Sequence, residues 1–152
     1  MIRIFNDLRI EIESDAAQTD HLVLSRYGFV LVESKSVKDC FVVNERREWS
    51  RQYGSKVQEI ASPLLQAKRQ ADFLKSYLSV RAPELLDKLL GIQTTFRTRP
   101  SDVLVAIVDG DMVSRPETLQ LPEVIKADQV TDAIRSLYAA YKKVRKQGKQ
   151  FY

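Results

Sequence analysis

Residues 19–35 read TDHLVLSRYGFVLVESK, and this stretch decides the fold. Residues 20–25 and 29–34 are rich in Val and Leu, which is typical of β-strands. The four residues between them, SRYG, suit a tight turn, and Gly28 is able to adopt the positive φ that many such turns require. The stretch therefore predicts a β-hairpin.

The turn type sets which side chains face each other across this hairpin. With residues 26–27 at the tip, Asp20 lies opposite Glu33. Lys35 shares the face of Glu33, because side chains alternate along a strand. A bulge in the turn would shift this register by one residue. The face of Glu33 also carries Leu22, Leu24, Phe29 and Leu31, and the opposite face carries Val23, Val30 and Val32.

Two carboxylates and one ammonium group are thus predicted to meet beside an apolar floor. Two carboxylates a few ångströms apart repel each other unless a cation lies between them. Lys35 can supply that positive charge, and a divalent metal ion can do so as well. From the residues alone, a functional site and an ordinary cross-strand ion pair are both open interpretations.

Other parts of the chain also have strand signals. Residues 2–12 alternate apolar and polar side chains, which indicates a strand, or a strand pair broken near Asn6-Asp7. The apolar run VLVAIV at residues 103–108 is expected to be a central buried strand. The polar stretch 44–62 is expected to be a long loop. Shorter strands are expected at residues 41–43 and 112–113.

Three segments have helix signals. Ser62 and Pro63 suit the cap and first position of a helix that continues to about Ser79. Pro83 opens a short helix that Gly91 closes. Residues 128–146 carry one apolar stripe, formed by Val130, Ile134, Leu137, Tyr138, Tyr141 and Val144. The order of elements predicts a single α/β domain over residues 1–152, with a mixed β-sheet flanked by helices.

Composition excludes several classes of protein. No apolar run approaches the roughly 18 residues that a membrane-spanning helix needs, and the first residues lack the features of a signal peptide. The single cysteine, Cys40, excludes an internal disulfide and cannot alone build a zinc site. We therefore expect a cytoplasmic protein. Its net charge of +4 is a mild bias toward polyanionic partners.

The ordered motifs along the hairpin resemble the nuclease-related domain (NERD) family. They are QTDHLV at residues 18–23, the Tyr27-Gly28 pair, and VESK at residues 32–35. The resemblance continues through NERREW at residues 44–49 and SPLLQ at residues 62–66. That family belongs to the PD-(D/E)xK nuclease superfamily, so the resemblance implies a restriction-endonuclease-like fold and metal-dependent DNA cleavage.

The resemblance also implies roles for individual residues. Asp20 and Glu33 would ligate a divalent metal ion, Mg²⁺ or Mn²⁺, and the Ser34 carbonyl would add a ligand. Lys35 would orient the attacking water or stabilise charge on the phosphate, and Gln66 would reach the same site from its helix. The chemistry agrees, because Mg²⁺ prefers hard oxygen ligands and preorganised charge stabilises the transition state of hydrolysis.

One family feature is expected to be absent. Many members have an N-terminal helix whose Glu completes the metal site, whereas this sequence begins at the expected first strand. Glu11 and Glu13 are possible substitutes, but neither matches the family motif. A nucleic-acid-binding or assembly module without catalysis is therefore the alternative function.

Three further residues and one helix face are candidates for roles in the site. His21 is predicted on the strand face opposite Asp20, which favours a structural role. Trp49 and Tyr53 either stack on bases or, as we favour, anchor their segment by packing. Lys68, Arg69 and Lys75 are either phosphate contacts or ordinary exposed helix residues.

Overall fold

Two mixed β-sheets, a two-stranded ribbon and two long helices form the described part of the chain. The computed structural model describes residues 2–12, 15–25, 27–36, 40–81, 88–89, 92–93, 99–108 and 112–148. The strands are β1 (Ile2–Ile12), β2 (Asp15–Ser25), β3 (Phe29–Lys35), β4 (Cys40–Val43), β5 (Trp49–Tyr53), β6 (Lys56–Ile60), β7 (Lys88–Leu89), β8 (Ile92–Gln93), β9 (Ser101–Ile107), β10 (Met112–Ser114) and β11 (Val124–Lys126). The helices are α1 (Pro63–Val80) and α2 (Val130–Gly148), and a short 3₁₀ turn at Ala127–Gln129 precedes α2.

The five-stranded sheet has the order β1-β2-β3-β9-β11. Its first three strands are antiparallel, whereas β9 runs parallel to both β3 and β11. The predicted central strand is confirmed, because Val103 to Ile107 of β9 are all buried. Strand β11 was not predicted, since three residues are too few to show a period. The sheet is mixed and has helices on both faces, as predicted.

The four-stranded sheet corrects one prediction. Its order is β10-β4-β5-β6, so the polar stretch 44–62 contains a β-hairpin and is not a long loop. The residues of β6 are almost all exposed, which removes the alternating pattern that would reveal a strand from sequence. These polar residues belong to a sheet because β5 pairs with β4 on one side and with β6 on the other. The predicted strands at residues 41–43 and 112–113 are confirmed as β4 and β10, which pair in parallel.

Helix α1 begins where the sequence predicted. The Ser62 side-chain oxygen accepts a hydrogen bond from the Leu65 backbone N–H at 3.2 Å, and Pro63 occupies the first turn. The helix predicted from Pro83 to Gly91 falls mostly outside the described residues. Lys88–Leu89 pairs with Ile92–Gln93 as a strand, so a helix over those residues is wrong.

Each face of the five-stranded sheet carries its own hydrophobic core. Helix α1 covers one face and α2 covers the other. The α1 core includes Leu22, Phe29, Leu31, Phe41, Trp49, Leu64, Leu74 and Val105. The α2 core includes Val23, Val30, Val32, Leu104, Tyr138 and Tyr141, with Val130, Ile134 and Leu137 packed against it. The predicted stripe of α2 is therefore confirmed except at Val144, which is 61% exposed.

The hairpin of β2 and β3 has the predicted register. Leu24 pairs with Phe29 and His21 pairs with Val32, so no bulge shifts the strands. Gly28 does not have the positive φ expected of it, since Gly54 is the only described glycine with one. A Cβ atom on Gly28 would lie 2.4 Å from the Pro100 carbonyl oxygen. Packing, rather than turn geometry, therefore requires glycine at this position.

Strand β1 is one element with a distortion at its middle. Asp7 has a φ of 51°, and it is the only residue of β1 without a partner in the ladder to β2. Leu8 and Ile10 pack on the α1 core, whereas Ile2 and Ile4 are 56% and 65% exposed. The expected alternation is thus interrupted near Asn6-Asp7, but the strand does not end there.

Candidate active site

Asp20 lies at the point where β2 separates from β3. The ladder between these strands stops at the pair His21 and Val32, so the next position, where Asp20 would face Glu33, makes no backbone pair. Instead, Oδ2 of Asp20 accepts a hydrogen bond from the Ser34 backbone N–H at 2.8 Å. The side chain of Asp20 thereby takes the place of a main-chain acceptor and is held against the end of β3.

Glu33 and Lys35 form an ion pair on the next strand. The Lys35 Nζ atom donates to Glu33 Oε1 at 2.6 Å. The Glu33 side chain is only 6% exposed, whereas that of Lys35 is 27% exposed. Both residues share the face of Leu31, which packs in the α1 core, so the predicted face is confirmed. Lys35 is thus the group that neutralises the buried carboxylate, one of the two possibilities left open by the sequence.

Three predicted site residues therefore surround one short piece of backbone. Asp20 binds the N–H of Ser34, and the residues on either side of Ser34 form the ion pair. The structure does not pair Asp20 with Lys35 among its described salt bridges. The Ser34 N–H has a role that the sequence did not predict, and a ligand role for the Ser34 carbonyl stays a prediction.

The carboxylates suit a divalent cation in their chemistry. Among the described residues, Asp20 Oδ1 and Glu33 Oε2 accept no hydrogen bond, so each carboxylate keeps one oxygen for another partner. Mg²⁺ is commonly held by one or two carboxylates, with water and substrate phosphate completing its shell. The described part of the chain contains no group of three or more His, Cys, Asp or Glu side chains placed to hold a metal ion. Within the described residues, the candidate donors are therefore the two carboxylates of Asp20 and Glu33.

Gln66 lies in the first turn of α1, and its side chain is exposed. Within the described residues, no hydrogen bond joins its amide to Asp20 or Glu33. It lines a groove between α1 and the start of β2 instead, together with Gln18, Arg69 and Gln70. The sequence predicted no role for Gln18 or Gln70, and for Arg69 it left a phosphate contact and an ordinary exposed position both open. Gln66, Arg69 and Gln70 are three and four residues apart, and this spacing could have predicted that they share one face of the helix.

The other candidates have structural roles. His21 Nδ1 lies 2.9 Å from Asn6 Oδ1, away from the Asp20 carboxylate, as predicted. Trp49 is 3% exposed and packs edge-on against Phe41, with ring centroids 6.0 Å apart, so it is not accessible for stacking on bases. Tyr53 lies under the guanidinium group of Arg51, 4.2 Å from ring centroid to Cζ.

Of the two possible substitutes for the family's N-terminal Glu, the structure describes only Glu11, which does not join the site. Glu11 is exposed and pairs with Arg9 at 2.8 Å on its own strand. Glu13 lies outside the described residues. Within the described residues, Asp20 and Glu33 therefore remain the candidate carboxylates.

Comparison with known protein families finds a match over much of the chain. The profile of the nuclease-related domain family matches residues 2–98, a span that contains all five predicted site residues, Asp20, Glu33, Ser34, Lys35 and Gln66. No curated protein and no solved structure matches the chain significantly. None of the helices in the described ranges is long and apolar enough to cross a membrane.

The match and the architecture agree. A mixed β-sheet with helices on both faces is the restriction-endonuclease-like arrangement that the resemblance implied. The matched span also contains the β2–β3 hairpin and the start of α1, the elements that position the candidate site. Since this span is more than half of the 152 residues, the chain belongs to the nuclease-related domain family.

Proposed function

We propose that this protein hydrolyses phosphodiester bonds of DNA in a reaction that requires Mg²⁺ or Mn²⁺. The observation that carries the proposal is the arrangement around Ser34. The Asp20 carboxylate accepts a hydrogen bond from the Ser34 N–H at 2.8 Å. Glu33 and Lys35, on either side of Ser34, form an ion pair where the pairing of β2 with β3 has ended. Two carboxylates and an ammonium group of this kind match the chemistry that hydrolysis of a phosphodiester needs.

Each residue has a distinct role in this proposal. Asp20 and Glu33 would hold the metal ion through their remaining oxygens, and the Ser34 carbonyl is a further proposed ligand. The bound ion would lower the pKa of a water molecule and offset charge on the phosphate. Lys35, which is partly exposed beside Glu33, would place its ammonium group near the attacking water or the phosphate oxygen. Gln66 would contact the substrate from α1.

Cleavage of plasmid DNA tests the proposal directly. We expect the purified chain to cut DNA with Mg²⁺ or Mn²⁺ and not with EDTA, and we expect Glu33→Gln and Lys35→Met to lower the rate by at least about 100-fold. Asp132→Asn is the matched control, because Asp132 forms an exposed ion pair with Arg135 on α2. Cleavage that persists unchanged in Glu33→Gln would eliminate the assigned site.

Metal binding gives a readout that does not depend on turnover. We expect isothermal titration calorimetry to detect Mn²⁺ binding to the unmodified chain and to detect none in the variant with both Asp20→Asn and Glu33→Gln. The Asp132→Asn variant should bind Mn²⁺ as the unmodified chain does. Equal binding in all three proteins would place the ion elsewhere.

A DNA-binding module without catalysis is the second candidate function. The observation that favours it is the closed Glu33–Lys35 ion pair, which already neutralises the buried carboxylate. This function predicts salt-sensitive DNA binding, no cleavage with any divalent metal ion and no Mn²⁺ binding by calorimetry. The two experiments above therefore separate the two functions.

A further inference from the structure

A groove of about 770 Å³ lies between the start of β2 and the exposed face of α1. We call it the β2–α1 groove. Its lining includes three amide side chains, Gln18, Gln66 and Gln70, and one cation, Arg69. Leu65 and Phe73 supply apolar surface, and Asp15 is the only carboxylate in its described lining.

The groove lies close to the candidate active site along β2. Gln18 precedes Asp20 by two residues on β2, so their Cα atoms are about 7 Å apart. Gln66, which the family resemblance places at the site, lines the groove as well. A substrate held here would therefore extend directly from the residues proposed to act on it.

One polar group in the groove lacks a partner. The Gln70 side-chain oxygen is fully buried, and no hydrogen bond to it exists among the described residues. A buried polar atom without a partner costs free energy, and native proteins contain few of them. Because the rest of the Gln70 side chain is partly exposed and lines the groove, a turn of its amide would bring the oxygen to the groove surface, where a ligand that carries N–H donors would satisfy it. Nucleobases carry such donors on their edges.

The remaining lining suits the other parts of a nucleotide. Leu65 is 54% exposed and Phe73 is half-buried, so both offer apolar surface against which a base can stack. Arg69 is exposed at the same groove and can contact a phosphate. The amide groups thus suit the edge of a base, the apolar side chains suit its face, and the guanidinium group suits the phosphate backbone.

The size of the groove favours unpaired nucleotides over a double helix as its ligand. Its volume lies within the range of about 300–1,000 Å³ that is typical of small-molecule sites. Unstacked nucleotides can enter a space of this size, whereas a double helix cannot. Paired bases would also hide the edges that Gln70 would contact.

We infer that the β2–α1 groove binds an unpaired segment of the DNA substrate, with Gln70 on a base edge, Phe73 on a base face and Arg69 on a phosphate. The inference rests on the proposed nuclease function. It adds to that function a substrate class, DNA with a single-stranded region or a frayed end, and a set of positioning residues.

Fluorescence anisotropy in EDTA tests this inference without any cleavage. The probes are a fluorescein-labelled oligothymidine of 12 nucleotides, whose bases carry an N–H donor, and the same strand annealed to its complement. We expect the single strand to bind at least about fivefold more tightly than the duplex, since only the single strand has accessible base faces. We expect Arg69→Ala and Gln70→Leu each to weaken single-strand binding by about tenfold.

Two controls separate binding from folding. Arg135→Ala removes the same charge from an exposed position of α2 and should leave single-strand binding unchanged. Gln70→Leu removes a buried amide oxygen that has no hydrogen-bond partner among the described residues, so we expect its thermal midpoint to equal or exceed that of the unmodified chain. Weaker binding with undiminished stability would support a ligand role for Gln70.

The outcomes also distinguish this inference from the proposed function. If the chain cleaves DNA with Mg²⁺ but Arg69→Ala and Gln70→Leu bind single strands normally, the groove inference is wrong and the nuclease proposal stands. If single strands bind through these residues and no metal supports cleavage, the groove is a binding site and the nuclease proposal fails. Tighter binding of the duplex than of the single strand would also overturn the inference.

Discussion

Asp20 Oδ2 accepts a hydrogen bond from the Ser34 backbone N–H at 2.8 Å, at the position where the β2–β3 ladder has stopped. A carboxylate therefore completes the main-chain hydrogen bonding of β3 and is oriented by it. This contact uses only one of the two carboxylate oxygens, so the other is left for a further partner, and the residues on either side of Ser34 form the Glu33–Lys35 pair. The hydrogen bond that orients the Asp20 carboxylate therefore lies at the point where β2 and β3 separate.

This contact predicts different effects for two substitutions of Asp20. Asp20→Asn keeps an oxygen that can accept from Ser34, whereas Asp20→Ala leaves the N–H without a partner. We expect Asp20→Ala to lower the free energy of unfolding by about 1–3 kcal/mol and Asp20→Asn to lower it by less than half as much. Urea denaturation measures both values. Both variants should lose metal-dependent cleavage, and equal destabilisation would show that the hydrogen bond does not organise the site.

The Glu33–Lys35 pair predicts a stability effect that can be reversed. Lys35→Met leaves a carboxylate that is 6% exposed without its cation, so we expect a loss of about 3 kcal/mol. Adding Glu33→Gln to Lys35→Met removes that charge and should recover part of the loss, as a double-mutant cycle would measure. If the second substitution only adds to the damage, the ion pair is not what stabilises this position.

The same variant also reports on the proposed metal ion. Mn²⁺ should raise the thermal midpoint of Lys35→Met more than that of the unmodified chain, because the ion replaces the missing positive charge beside Glu33. Lys35→Met combined with Glu33→Gln is the control, and Mn²⁺ should not raise its midpoint in this way. An equal shift in both variants would contradict an ion at Glu33.

Gly28 predicts a packing effect. A methyl group there would meet the Pro100 carbonyl oxygen at 2.4 Å and the ring of Tyr141 at 3.0 Å. We expect Gly28→Ala to lower the free energy of unfolding by about 1–3 kcal/mol through overpacking. Gly54→Asn is the contrasting control, because Gly54 has a φ of 54° that Asn tolerates and nothing lies within 4 Å of its added Cβ. A similar result for the two variants would contradict the packing explanation.

The tyrosines that fasten α2 to the sheet predict a loss of stability in alkali. The Tyr138 hydroxyl donates to the Val23 carbonyl at 2.6 Å, and the Tyr141 hydroxyl donates to the carboxylate of Asp102. Burial raises the pKa of Tyr138 to about 12, and burial followed by the Asp102 carboxylate raises the pKa of Tyr141 further. Both shifts favour the protonated phenol in the folded state.

The direction of these pKa shifts determines how the free energy of unfolding changes with pH. An unfolded tyrosine loses its proton near pH 10, whereas folded Tyr138 keeps its proton to about pH 12. The stabilising contribution of Tyr138 is therefore complete below pH 10 and disappears between pH 10 and 12, with a size on the order of 2 kcal/mol. Urea denaturation from pH 8 to 11.5 should show this decline. The decline should be shallower in Tyr138→Phe, and an identical slope would contradict the assignment.

The sequence by itself determined the parts of the fold that depend on neighbours along the chain. The register of the β2–β3 hairpin follows from its turn and its alternating apolar residues, and it placed Glu33 and Lys35 on one face correctly. The start of α1 follows from Ser62 and Pro63, whose capping contacts are local. The strand β9 and the apolar stripe of α2 were also predictable, because a strand buried on both faces has a continuous apolar run and a helix buried on one face has apolar residues at a helical period.

Only the tertiary structure decided the features that depend on distant residues. The hairpin of β5 and β6 is polar and exposed, so pairing with β4, rather than its own sequence pattern, identifies it. Gly28 is required by Pro100, which is far away in sequence. Gln66 joins Gln18 in a groove that exists only once α1 packs on β2. A linear pattern records which face of an element is buried, but it does not record which other element lies against that face.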